Sequence, residues 1–480
     1  MNRVISKLLV VLLMNSSVQA LTESEYIQTL LNNHAFFEKE QINLEIKKIE
    51  MEGDRANYSN WSWDISGELG RIEKKLTKDT SYTYTHASNQ TTKKISTDLS
   101  KKFFSSGSEI NFSYDKSWPI KNEVKHKKQE YYSDVNTTEY LDDIKLSWTI
   151  PLLKNRSGVI DQKTYDLAVL DYQDEILVLM EVKEDFIEDK LMSFFDWVSY
   201  EAQINIVENR LILSQKILNI LQKNTSSKSN ILTFERSIDK TQRLLLSLQS
   251  KLKANQKALS ILLEKVELEK NSPIIDWDAH PDLIQDLRAH CRQFVRDLTR
   301  IEIEQEKNKR TIKTYQNSQL GDFDFTISAS KDLNKGNYSS YSKSNEIEYE
   351  AKFDFSYPLT GDVTNQVYLD KNKLKLRQLE LKYKEKFDDI LSEAEKLTVE
   401  LVQGAAQLNL YKKQIAVSEA QKFNNELDLF LEGGGNIRYA INEQDDSQEL
   451  LLGYIQTVIE YQKNRIHYDS LLDRLLANFE

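Results

Sequence analysis

Phe353-Asp354-Phe355-Ser356-Tyr357-Pro358-Leu359 and, in the first half of the chain, Leu146-Ser147-Trp148-Thr149-Ile150-Pro151-Leu152 carry the same message. In each, apolar and polar residues alternate, a Pro-Leu pair ends the run, and a long polar stretch with helical periodicity begins. A period of two reads as a β-strand with one apolar face, and Pro closes it because it has no N–H for a ladder. A chain that passes twice from such a strand into a long helix is internally duplicated, and that duplication governs the rest of the reading.

The alternation extends outward from both copies. Ile347, Tyr349, Ala351, Phe353, Phe355 and Tyr357 are apolar, while Glu348, Glu350, Lys352, Asp354 and Ser356 stand between them. Upstream, Phe323, Phe325, Ile327 and Ala329 alternate with Asp324, Thr326, Ser328 and Ser330; the first copy has Ile144, Leu146, Trp148 and Ile150, preceded by Ile110, Phe112 and Tyr114. The run from 347 to 357 matches the roughly 9–11 residues a tilted strand needs to cross a bilayer. One apolar and one charged face fits lipid outside and water inside, which puts Glu348, Glu350 and Asp354 on a pore lumen that favours cations. An antiparallel sheet with one face on a soluble core alternates in the same way. Context separates the two, since little else in the chain can supply a core for these strands. Trp118, Trp148, Tyr341 and Tyr357, near strand ends, suit an interfacial girdle and would also suit a core. Residues 61–150 hold material for about four strands, with a tight turn at Ser105-Ser106-Gly107. This leaves two alternatives: an extra hairpin joins the barrel, or some of the region is loop.

The chain has 480 residues but only 13 Gly and 5 Pro, so its elements are long and uninterrupted. Charged residues make up 29%, the net charge is −11, and mean hydropathy is −0.57, which excludes a helical membrane protein and argues against a nucleic-acid partner. Residues 1–20 have Arg3 and Lys7, an apolar stretch over 8–14, and Ser16-Ser17-Val18-Gln19-Ala20, the layout of a secretory signal peptide cleaved after Ala20. Cys291 is the lone cysteine and the six histidines lack ligand spacing, so no disulfide, metal or cofactor is expected. There is no phosphate-binding Gly-rich loop, HExxH or nucleophile elbow, and no catalytic residues are expected. The carboxylate pairs Asp142-Asp143, Asp388-Asp389 and Asp445-Asp446 are adjacent in sequence and diverge on a helix or strand.

After each Pro-Leu a helix is expected, over about 159–223 and 363–432. Ile187, Leu191, Phe194 and Val198 recur at coiled-coil spacing, with Leu213, Ile217 and Ile220 continuing the seam. At 1.5 Å per residue such helices are roughly 100 Å long, enough to cross a periplasm. They turn back through 224–230, with Asn224, Ser227 and Asn230, and through Gly433-Gly434-Gly435-Asn436. The arms from Pro151 to Asn224 and from Pro358 to Gly433 are nearly equal, which sets both tips at one height. Return helices over 231–269 and 437–479 carry seams at Leu244, Leu248, Leu252 and Leu259, and at Leu450, Tyr454, Ile455, Val458, Tyr461 and Tyr468. A linker with Pro273 and Pro281 leads to a helix ending near 317. The chain therefore divides into residues 21–270, with strands over about 61–150, and residues 271–480, with strands over about 322–358.

In this order and spacing the mature chain resembles the outer-membrane efflux protein family of the TolC type. Phe353-Asp354-Phe355-Ser356-Tyr357-Pro358-Leu359, with Gly361 and Gln366-Val367, looks like that family's last strand entering its descending helix. Leu146 to Leu153 resembles the first-repeat strand ending. Gly433 to Arg438 followed by Glu443-Gln444-Asp445-Asp446 resembles the glycine turn and return helix, with Glu443 where a small residue is common. The resemblance implies a mainly α fold with membrane β structure: a long antiparallel α-helical coiled-coil barrel plus β-barrel strands shared in a homotrimer. A few strands from one chain cannot close a barrel, and lipid does not tolerate open edges.

The function implied is a passive exit duct in the outer membrane of a Gram-negative bacterium, extending into the periplasm and exporting small molecules. An inner-membrane transporter, a periplasmic adaptor (membrane fusion) protein and outer-membrane lipid are the implied partners. Docking is expected at the hairpin tips, at Asn224, Ser227, Asn230, Gly433, Gly434, Gly435 and Arg438. Glu443, Asp445 and Asp446, one to two turns beyond the tip, are the candidate tunnel gate, since threefold symmetry makes each a ring of charge; the family's usual gate positions hold Tyr439 and Asn442 here. The same duct would serve a type I protein-secretion system. A secreted coiled-coil structural or adhesin protein is the reading from another class, and helices that double back oppose it. The basic run Lys121 to Lys128 reads as a solvated loop or as one facing lipopolysaccharide.

Overall fold

In the computed structural model the described residues are 19–74, 88–118, 120–124, 137–140, 142–223, 228–262, 271–274, 279–333, 335–336, 347–357, 363–421 and 437–478. In chain order they form β1 (Gln19–Thr22), α1 (Glu23–Asn33), α2 (Ala35–Ser59), β2 (Ser62–Lys74), β3 (Ser88–Phe103), β4 (Ser108–Trp118), β5 (Ile120–Val124), β6 (Thr137–Tyr140) and β7 (Asp142–Pro151). Then follow α3 (Gln162–Lys223), α4 (Lys228–Leu262), β8 (Asn271–Ile274), α5 (Leu287–Phe294), α6 (Arg296–Ser318), β9 (Asp322–Asp332), β10 (Lys335–Gly336), β11 (Glu348–Ser356), α7 (Val363–Gln421) and α8 (Ile437–Leu471). The single helix expected before the second strand set is interrupted at Val295, where the backbone is extended. Contacts divide the chain into two compact units, and each takes residues from both halves of the sequence.

The unit made of 45–174 and 303–381 contains a continuous antiparallel sheet. Its main order is β2-β3-β4-β7-β9-β11. Every register keeps the pleat in step: Trp63 faces Leu99, Leu99 faces Phe112, Phe112 faces Leu146, Leu146 faces Ala329, and Ala329 faces Tyr349. Apolar side chains therefore share one face across all six strands and polar ones the other. Within residues 61–150, β2 and β3 form an extra hairpin that pairs with β4 in this sheet, and residues 75–87 and 125–136 lie outside the described residues. The three short strands β5, β6 and β10 repeat the order of β4, β7 and β9 beyond their ends.

Where the sheet meets the helices, the turn between β3 and β4 is locked to the segment before α3. Gly107 and Gly158 both have positive φ, and a Cβ at either would run into the backbone oxygen of Asn155 or of Phe104. Gln162 Nε2 donates to Phe104 O at 2.8 Å, and Asn155 N donates to Asn317 Oδ1 at 2.7 Å. Neighbouring helical segments are joined by Lys307 Nζ to Asp171 at 2.7 Å and by stacked Tyr315 and Tyr368 rings, 5.5 Å apart.

The other unit, from residues up to 44, 175–302 and 382–480, holds the apolar core. The expected seam of α3 is buried there: Ile187, Leu191, Phe194 and Val198 pack with Tyr26, Ile27 and Leu30 of α1 and with Val458, Tyr461 and Tyr468 of α8. Lower on α3 the buried positions are Val207, Ser214, Ile217 and Leu221, so Leu221 rather than Ile220 continues the seam. On α4, Leu244 is exposed, while Phe234, Ile238, Thr241, Leu248 and Leu259 are buried. β1 and β8 pair in parallel, with Gln19 and Ala20 inside the ladder. One arginine, Arg296, organises a buried charged cluster: it reaches Glu181 at 3.3 Å, Asp473 at 2.8 Å and Glu184. Glu184 also accepts the backbone N–H groups of Leu475 and Leu476 at 2.6 and 3.2 Å.

Candidate functional site

Two regions bear on function, one in each unit. The first is the sheet, which is inside out by the standard of a soluble domain. Its apolar side chains lie in the open: Trp63 is 69% exposed and Phe353 64%, and Leu146, Trp148, Ile327 and Phe355 are exposed as well. Serines of the opposite face are buried, Ser328 at 5% and Ser117 at 8%. A sheet packed on a soluble core shows the reverse. The alternating sequence thus exposes large apolar side chains on each of the six main strands, where a soluble monomer keeps such patches small.

The three strand residues expected to line a lumen, Glu348, Glu350 and Asp354, all fall on the polar face of β11. There they share the face with Ser330, Ser328 and Asp324 of β9, their register partners. Lys352 pairs with Asp354 at 2.6 Å, so part of the acidic charge is balanced within the strand. Toward the other edge the same face carries Asp115, paired with Lys94 at 3.0 Å, and Lys102 near Glu109. The polar face is mixed in sign, suited to an aqueous wall.

The second region is the part of α3, α4 and α8 adjoining the expected tips. Asn224, Ser227, Gly433, Gly434 and Gly435 lie outside the described residues. Asn230 sits in the first turn of α4 and Arg438 in the first turn of α8, and Glu443 follows on α8. The gate candidates separate. Asp446 is exposed, whereas Asp445 forms an ion pair with the mostly buried Arg210 of α3. Arg210 also donates to Gln448 Oε1 and, at 3.5 Å, to Ser237 Oγ of α4. One turn further, Ser214 Oγ donates to Gln444 Oε1 at 3.4 Å between two buried side chains. Burial lowers the Arg210 value, but a guanidinium stays charged. Arg210, Ser214 and Gln448 are invisible to a reading that follows apolar residues. Their only signal is a run of polar residues at heptad spacing, which fixes register at a cost in stability.

Among the described residues no helix is long and apolar enough to cross a membrane, and no group of three or more His, Cys, Asp and Glu could hold a metal ion. Cys291 is buried, and His290 shares a hydrogen bond with Leu472 O at 2.9 Å. Of the basic run, residues 121–124 belong to β5 and the remainder lies outside the described residues.

Comparison with solved structures gives agreement over nearly the whole chain. CusC, in a study of folding and transmembrane channel formation, matches with a TM-score of 0.63 at 14% identity, covering 94% of this chain and 91% of that one. The chain has the TolC-type outer-membrane channel fold. The open-state MtrE outer membrane channel of Neisseria gonorrhoeae matches this fold at TM-score 0.60 and 11% identity, over 96% of this chain and 94% of its own. The outer membrane protein VceC of Vibrio cholerae gives 0.59 and 12%, over 95% and 97%. No protein-family model and no curated protein matches the chain. At such identities the channel fold survives through pattern: alternation in strands, seams in helices, and turns between them.

Proposed function

We propose that the protein is a passive conduit in the outer membrane of a Gram-negative bacterium, the exit duct of a tripartite efflux system for small molecules. The observation that carries this reading is the inside-out sheet, whose exposed apolar face requires lipid and whose polar face suits water. Three copies complete the wall, because one chain leaves sheet edges that a bilayer cannot accommodate. Without any nucleotide-binding or catalytic motif, the duct takes its energy from an inner-membrane transporter, reached through a periplasmic adaptor at the tips around Asn224 to Asn230 and Gly433 to Arg438. Glu443, Asp445 and Asp446, with Arg210, form the gate above those tips. The signal peptide over residues 1–20 delivers the chain across the inner membrane.

The test is fractionation of cells expressing the full chain. The reading requires outer-membrane recovery and a trimer that dissociates on heating in detergent. Recovery as a soluble monomer overturns it.

A further inference from the structure

The sheet is wider than the resemblance leads one to expect. Four strands per copy would give a twelve-stranded barrel, and four strands are present without β2 and β3: β4, β7, β9 and β11. The first half adds two more to the same ladder. β2 pairs with β3 over thirteen register positions, from Ser62 with Ser100 to Lys74 with Ser88. β3 pairs with β4 from Lys93 with Trp118 to Phe103 with Ser108. The geometry points to a barrel in which six strands from each copy form the wall, eighteen in a trimer, closed by β2 of one copy against β11 of the next. This rests on the trimeric channel proposed above.

Four observations converge. First, β2 and β3 keep the same alternation as the other strands: on β2, Trp63, Ile65 and Leu69 stand on the apolar face, opposite Asp64, Ser66 and Glu68, and both faces are exposed. A loop folded over the mouth of a narrower barrel has no reason to keep this pleat for so long. Second, the turn that joins β3 to β4 is built into the base of the sheet. Gly107 packs against Asn155, and Phe104 O accepts from Gln162, so the hairpin shares the junction from which α3 departs.

Third, strand polarity closes. Taking the helix side as the base, β2 rises from Ser62 and β11 descends to Ser356, with neighbours antiparallel throughout. β11 of one copy therefore meets β2 of the next in antiparallel sense, as an even number of strands requires. Fourth, among the described residues β2 pairs only with β3 and β11 only with β9, so both outer edges present ladder groups to a partner. The partner with a complementary edge, pleat and length is a second copy of this chain. In a twelve-stranded wall β11 would instead meet β4, whose edge β3 already occupies.

The consequence is a wider pore. With strands about 4.8 Å apart and tilted by about 40°, eighteen strands enclose a barrel roughly 36 Å across, against roughly 24 Å for twelve. The additional wall brings Asp64, Asp98 and Lys94 to the polar face.

Cross-linking tests this on the full chain in native outer membranes, where buried Cys291 leaves the introduced thiols as the reactive pair. One panel combines Asp64→Cys or Ser66→Cys with Glu350→Cys, Lys352→Cys or Asp354→Cys; the second combines Asn111→Cys or Ser113→Cys with the same β11 positions. Oxidation is expected to give covalent dimers and trimers in the β2–β11 panel and only monomers in the β4–β11 panel. Cross-linking through β4 instead overturns the eighteen-stranded wall and leaves the trimeric channel standing. A trimer that cross-links in neither panel overturns the β2–β11 junction. Monomers in the soluble fraction overturn the channel reading itself.

Discussion

Arg210 of α3 and Asp445 of α8 form an ion pair inside one chain, beside Ser214, Gln444 and Gln448 and next to the apolar cluster of Ile217, Leu221 and Ile441. The pair ties α8 to α3. A seam made of such contacts is weaker than the apolar packing around Phe194 and Val458, because polar pairs contribute about 1 kcal/mol each after desolvation. Asp445→Asn removes the charged tie and keeps the shape. Single channels of this variant are expected to dwell longer in their larger conductance state; dwell times equal to the parent's would remove Asp445 from the gate.

The two faces of β11 predict opposite outcomes for neighbouring substitutions. Phe353→Arg puts a charge on the lipid side, at a cost of up to about 2–4 kcal/mol near the midplane, and heat-sensitive trimer in the outer membrane is expected to fall sharply. Glu350→Lys, on the polar face, is expected to leave trimer yield intact and shift reversal potential toward anions. If both variants assemble equally well, the assignment of faces is wrong.

Arg296 forms ion pairs with Glu181, Glu184 and Asp473. Burial raises the Glu181 and Asp473 carboxyls, although Arg296 opposes it. Removing the arginine that pairs with all three leaves buried carboxylates short of compensation, so Arg296→Ala should lose about 3–5 kcal/mol of stability. The thermal midpoint measured by helical circular dichroism in detergent checks this; a midpoint within a degree of the parent's contradicts it.

Glu201 supplies a pH dependence. Burial pushes its carboxyl up to about 7, while the hydrogen bond from Trp197 Nε1 at 2.7 Å opposes the rise. As pH climbs from the ordinary value of 4.5 to about 7, the folded chain keeps a proton that the unfolded chain has released, so stability falls across that window. Glu201→Gln, which retains an acceptor for Trp197, is expected to raise the thermal midpoint at pH 8 and to leave it nearly unchanged at pH 5. A gain of the same size at both values would contradict the assignment. The His467–Glu188 pair, 2.8 Å apart, acts in its own window. The hydrogen bond to Glu188 raises His467, so its contribution is lost as pH rises above 6.5. Burial opposes the lowering of Glu188, yet His467 and Ser470 prevail, and that contribution is lost below 4.5.

What the sequence made legible was set by periodicity. Alternation at Phe353 and Leu146 located strands and their faces, and the stripe from Ile187 to Val198 located the core of α3, because burial depends on the side of an element a residue occupies. The seam slipped from Leu221 to Ile220, and from Leu245 to Leu244, where adjacent apolar residues offer two stripes and only tertiary packing chooses between them, while Leu248 and Leu259 are buried as expected. Arg210 and Gln448 escaped notice because a polar residue in a seam looks like a solvated one until its partner is known. The extra hairpin was ambiguous for a related reason: β3 is rich in Ser, Thr and Lys, and only its registers with β2 and β4 place it in the wall.

The central claim is that this chain forms a water-filled passage through a bilayer. Single-channel recording of the purified full-length protein in a planar lipid bilayer tests it most directly. Discrete current steps are predicted, cation-selective in the parent and shifted toward anions by Glu350→Lys. A protein that enters the bilayer yet passes no current, or whose current ignores the Glu350 substitution, would contradict the account.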